Sequence, residues 1–170
     1  MSLRHAVLGL LAQGPASGYD LMKMFDVSLS HVWPATQSQL YAELGKLAEA
    51  GFVDVATRGP RGRKEYALTE EGLAELRHWL TQIEPTRVAR SDMLLRVFFL
   101  ARVPQEQARA YLRHQAGLAA ERVERLEGVR EFVESGDDDL SVYGRIALEY
   151  GLRLGRMQRE WAEWAERQVP

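Results

Sequence analysis

The chain reads as mainly α. It predicts a winged helix-turn-helix with a two-stranded wing at residues 1–84, then a second, helical domain at residues 91–170. Three stretches carry this reading. Leu40, Leu44, Leu47 and Ala48 recur at helical spacing, and Gly51 ends their helix because only glycine takes the left-handed C′ conformation at no steric cost. Two β-rich runs follow, at 52–55 and 65–68, joined by the turn-forming stretch RGPRGRK at 58–64. Beyond Ser91, two long segments space their apolar residues by three, four or seven, as amphipathic helices do.

Taken in order, Leu3, Ala6, Val7, Leu10 and Leu11 form the apolar face of a short buried helix, which Gly14-Pro15 breaks. Ser17 is placed to cap the next helix, with Asp20 in its first turn near the positive helix end. That helix runs to about Ser30 and offers Tyr19, Leu21, Met22, Phe25 and Leu29 for packing. Pro34 forbids helix just before it, and Thr36 caps the helix that contains Leu40 and Leu44. Thr69 caps a further helix reaching about Ile83 through Leu73, Leu76, Trp79 and Leu80. Ser91 and Asp92 open a short apolar helix to Leu100, and Pro104 opens a long one to about Ser135. The last helix, from about Leu140 to Arg167, carries the stripe Tyr143, Ile146, Ala147, Tyr150, Leu154, Met157, Trp161 and Trp164.

The composition bounds the function. Of 170 residues, 46% are hydrophobic and 27% charged, the balance of a soluble globular protein. The net charge of −2 offers no bulk attraction for nucleic acid, so such a partner needs a local basic patch. The absence of cysteine excludes disulfides, thiolate metal sites and thiol catalysis. The apolar run near the N-terminus is too short to span a membrane and lacks a signal-peptide layout, which predicts a cytoplasmic protein with no membrane partner.

Two places concentrate chemistry. On the third helix, Ser38, Gln39, Ala42 and Lys46 fall opposite the leucines. Serine and glutamine can bond base edges, alanine can meet a thymine methyl, and lysine can reach phosphate or guanine. Tyr41 lies on the flank, within reach of a phosphate. A merely solvated helix face would look the same. Between the β runs, Arg58, Arg61, Arg63 and Lys64 stand within seven residues with no acid among them. Four like charges on one turn repel each other, so an anionic partner is a natural explanation, with a solvated turn, as most short charge runs are, the alternative. His5, His31, His78 and His114 are scattered without metal-ligand spacing, and no catalytic constellation or cofactor motif appears.

The stretches LRHAVLGLLAQGPASGYDL (3–21), SQLYAELGKLAEAGFV (38–53) and RGRKEYALTEEGLAELRHWL (61–80) resemble the PadR family of bacterial transcriptional regulators. RSDMLLRVFFL (90–100) and YGLRLGRMQREW (150–161) resemble the dimerisation region of its longer-tailed branch. The resemblance covers nearly the whole chain. It implies a winged-helix regulator, not an enzyme, acting as a dimer. It also implies that Tyr19, Ser38, Gln39, Tyr41 and the basic residues of the wing face DNA. Ala42 stands where many members carry proline, so base preferences are not carried over.

Together these readings predict a repressor that binds double-stranded DNA at an inverted repeat and forms a homodimer. Tyr143, Ile146, Tyr150, Leu154, Met157, Trp161 and Trp164 are its expected interface, because an isolated helix pair cannot bury so broad a stripe. Gly144, Gly151 and Gly155 are expected where another helix approaches closely. The aromatic residues of the last helix and the resemblance suggest a small aromatic effector. The alternatives left open are a winged helix serving as a protein-interaction adaptor and an enzyme with a helical substrate pocket.

Overall fold

The computed structural model describes residues 2–30, 32–58, 63–85, 90–130 and 139–170. They fall into two compact units, Met1–Thr86 and Arg87–Pro170.

In the first unit, helix α1 (Ser2–Leu11) is followed by a two-residue strand β1 (Ala16–Ser17) and helix α2 (Gly18–Ser28). Helix α3 (Gln37–Glu49) comes next, then strands β2 (Val53–Arg58) and β3 (Arg63–Leu68), then helix α4 (Glu70–Gln82). The core is Val7, Leu8, Leu10 and Leu11 of α1, Leu21 and Phe25 of α2, and Leu40, Leu44 and Leu47 of α3, all nearly or fully buried. Burying each such side chain contributes about 1.5–3 kcal/mol, which is what holds α3 in place.

The helix ends are fixed by local chemistry. Ser17 Oγ accepts from Asp20 N at 3.3 Å, and Thr69 Oγ1 accepts from Gly72 N at 3.0 Å. At the far end of α3, Gly51 has φ +72°; its N–H bonds to the Ala48 carbonyl at 3.1 Å and that of Phe52 to the Leu47 carbonyl at 2.9 Å. This pair of bonds is a Schellman closure, and it turns the chain directly into the sheet.

The expected two-stranded wing is part of a three-stranded antiparallel sheet with order β1-β3-β2. Ala16 pairs with Tyr66 and Ser17 with Glu65, while β2 and β3 run in register from Val53↔Leu68 to Arg58↔Arg63. Extended backbone just before the Ser17 cap, lying along the free edge of β3, supplies the third strand. Tyr19, counted among packing residues from the sequence, is 56% exposed.

In the second unit, α5 (Asp92–Val97) stops at the Phe98-Phe99 turn, and a single 3₁₀ turn, Leu100–Arg102, follows; the apolar helix expected to Leu100 is therefore shorter. Helix α6 (Gln105–Gly128) and helix α7 (Asp139–Gln168) pack as an antiparallel pair. The expected end of α6 near Ser135 lies outside the described residues. Arg156 bonds Glu127 at 2.6 Å and Arg113 meets Glu166 at 3.3 Å across the pair. Such exposed ion pairs contribute at most about 1 kcal/mol each, so the seam depends on packing.

That seam explains two glycines. A Cβ at Gly155 would lie 2.7 Å from Val123 Cγ2, and one at Gly151 would lie 3.0 Å from Leu126 Cδ1. Both therefore face α6 of the same chain, which is the helix that approaches closely.

Candidate nucleic-acid interface

Helix α3 is built to present one face. Its three core leucines are fully buried, while Ser38, Gln39, Ala42 and Lys46 are all exposed on the opposite side. The start of α3 is set by a capping box. Gln39 N donates to Thr36 Oγ1 at 3.3 Å, and Thr36 N donates to Gln39 Oε1 at 2.9 Å. Ser38 Oγ sits 3.0 Å from Thr36 Oγ1 in the same cluster. Gln39 thus has its amide oxygen engaged in the cap while its amide nitrogen points to no partner among these bonds.

Tyr41, 42% exposed, lies against the first residue of α2. A Cβ on Gly18 would meet Tyr41 Cε1 at 2.6 Å, so glycine there lets the hydroxyl edge of the ring approach α2 closely. Nearby, burial raises the Tyr66 phenol above its ordinary 10.0, with a smaller push from Tyr41. Tyr66 is therefore held in its neutral form inside the sheet. Sequence reasoning missed Gly18, and the only hint was its place beside the Ser17 cap.

Charge is distributed unevenly around this face. Lys46 Nζ lies 3.5 Å from Glu43 Oε2, and Glu43 Oε1 lies 3.5 Å from Arg4 Nε, so two cations share one acid. On α2, Lys23 Nζ lies 4.6 Å from the centroid of the Tyr19 ring, a cation–π contact. Lys23 adds a cation that sequence reasoning passed over, although its position one helical turn after Tyr19 would have paired them.

On the wing, Lys64 is exposed and opposite Thr57 in the ladder. Arg58 and Arg63 form the last described pair before the tip, and Arg61 lies outside the described residues. The structure thus carries Ser38, Gln39, Tyr41, Ala42 and Lys46 on one helix, Tyr19 on another, and Arg58, Arg63 and Lys64 on the strands. No group of three or more metal-ligating side chains occurs among the described residues, and none of their helices is long and apolar enough to cross a membrane.

Comparison with known proteins gives matches in both units. Residues 7–78 match the transcriptional regulator PadR-like family, and residues 89–169 match the virulence activator alpha C-terminal family. The negative transcriptional regulator PadR of Bacillus subtilis is 29% identical over 170 residues, covering 96% of this chain and 93% of its own. The crystal structure of that protein in complex with operator DNA superposes with a TM-score of 0.86 at 27% identity and covers all of both chains. Its complex with p-coumaric acid gives 0.87 at 27% identity, with 99% of each chain covered.

Proposed function

The chain belongs to the PadR-like family of transcriptional regulators, and on that premise we propose that it is a homodimeric repressor of an inverted-repeat DNA operator, released by a small aromatic effector. In this reading residues 1–84 are the DNA-binding domain, residues 91–170 the dimerisation domain, and the cytoplasm the place of work. The observation that carries it is the exposed Ser38-Gln39-Ala42-Lys46 face on a helix whose other side is locked by three fully buried leucines. A rigid helix with polar and small residues outward fits a major groove, where donor and acceptor patterns distinguish base pairs. Tyr19, Tyr41, Arg58, Arg61, Arg63 and Lys64 then meet the phosphates on either side.

The dimer reading is supported by α7. Tyr143, Ile146, Tyr150, Met157 and Trp164 fall in one stripe, each more than half exposed, on a face away from the α6 seam. Leu154 and Trp161 are half-buried at its border. The effector reading is supported by the relative bound to p-coumaric acid.

Enrichment of fragments from the source genome, followed by salt titration against one enriched and one scrambled fragment, tests the proposal. A sequence-preferring complex whose affinity falls linearly in log–log salt is expected. Equal binding to both fragments, or none, would overturn it.

A further inference from the structure

The second unit holds a cavity of about 480 Å³ between the Leu100–Arg102 turn, the first turns of α6 and the last turns of α7. Its apolar walls include Leu100, Leu112 and the indoles of Trp161 and Trp164, and its polar groups are the carboxamides of Gln105 and Gln168. None of its described lining side chains carries a charge. The guanidinium of Arg109 is turned into the wall instead: its Nη2 donates to the carbonyls of Val169 at 3.0 Å and Pro170 at 2.9 Å.

We propose that this cavity binds a flat, uncharged aromatic molecule bearing a hydroxyl or carbonyl group. The volume lies within the roughly 300–1,000 Å³ of small-molecule sites. Two indoles favour an aromatic ring, by stacking or by edge-to-face contact. A carboxamide serves a hydroxyl or a carbonyl equally, because it both donates and accepts. An ionised carboxylate would shed its hydration against a wall that offers no free cation, so charge counts against a ligand here. Trp164 lines the cavity and also belongs to the exposed stripe of α7, so an occupant touches a side chain that a second copy would cover. The inference rests on the effector part of the function proposed above but departs from the p-coumaric acid bound by the relative, a carboxylic acid, in asking for an uncharged ligand; its test is read without DNA so that the two can fail separately.

The full chain is titrated calorimetrically at neutral pH with 2-naphthol and with 2-naphthoate, which are close in shape and differ in charge. Binding of 2-naphthol at one per chain, roughly tenfold or more tighter than 2-naphthoate, is expected from a wall whose described side chains carry no charge. Ala101→Trp, at an exposed lining position, should fill the space and abolish that binding while helical content and the unfolding midpoint stay unchanged. Should that variant unfold, Val103→Trp, also exposed and lining, makes the same test. Tighter or equal binding of the naphthoate, binding indifferent to the filled variant, or no heat at millimolar 2-naphthol would each overturn the proposal. A chain that binds its operator but not 2-naphthol refutes the cavity alone. One that binds 2-naphthol but no DNA refutes the regulator reading alone.

Discussion

Tyr66 ties the sheet to α3 through its ionisation. Burial, then Tyr41, raises its folded value above the ordinary 10.0, so the unfolded chain loses that proton first as the solution becomes alkaline. Its contribution to stability is whole below the unfolded value and is lost as pH climbs through the folded one. Urea unfolding at about pH 8 and about pH 10.5 should show a larger loss for the native chain than for Tyr66→Phe. Equal losses would mean that other groups govern the alkaline limb. Gln39 shows what sequence reasoning can pass over in a single residue. Its exposure was legible from helical spacing, and its bond back to Thr36 N was legible too, since Thr36 with Gln39 three residues on has the capping-box spacing, yet only the Thr36 half of it was read.

Among the elements, the α6–α7 seam gives a sharp expectation. Alanine is about 1 kcal/mol better than glycine inside a helix. At position 155, however, the added methyl meets Val123 Cγ2 at 2.7 Å, and overpacking of this kind costs about 1–3 kcal/mol. Gly155→Ala should therefore destabilise the chain, and in a Val123→Ala background the same change should become neutral or stabilising. Additive effects in a double-mutant cycle would show that the seam relaxes freely. The wing makes a different kind of claim. Arg61→Ala with Arg63→Ala should weaken binding to every DNA sequence and lower the log–log salt slope by about 0.9 for each phosphate no longer neutralised. An unchanged slope would take the wing off the backbone. Helix boundaries set by Ser17, Thr36, Gly51 and Thr69 were legible because each rests on bonds between neighbours in sequence. Strand β1 was not, since two residues carry no periodicity and their partner lies about fifty residues away.

At the scale of the whole chain, α7 has two apolar faces. Leu152, Gly155, Ala162 and Ala165 are buried within the unit, while Tyr143, Ile146, Tyr150, Met157 and Trp164 are not. The sequence showed the stripe, but periodicity alone could not assign the glycines to the inner seam and the aromatics to the outer face. If the outer face joins two copies, Tyr150→Asp with Trp164→Asp should turn a dimer at micromolar concentration into a monomer of unchanged helical content. Its operator affinity should fall by far more than twofold, because one copy reaches a single half-site and the two half-sites lie about one helical turn, or a multiple, apart. Sedimentation of the native chain as a monomer would rule the interface out.

The capping box at the head of α3 has a consequence for how such a protein changes its target. If α3 enters the major groove as proposed, Gln39 has one amide oxygen and two claims on it, the Thr36 backbone on one side and a purine edge on the other. Ala42 and Lys46 carry no such obligation to the helix start, and Ser38 meets only the Thr36 hydroxyl there, not its backbone. Relearning a new operator is thus open at those three letters and nearly closed at the fourth. A library randomised at 38, 39, 42 and 46, selected on altered operators, should return varied residues at three positions and only glutamine or glutamate at 39. Free variation there would show that the helix tolerates losing its cap.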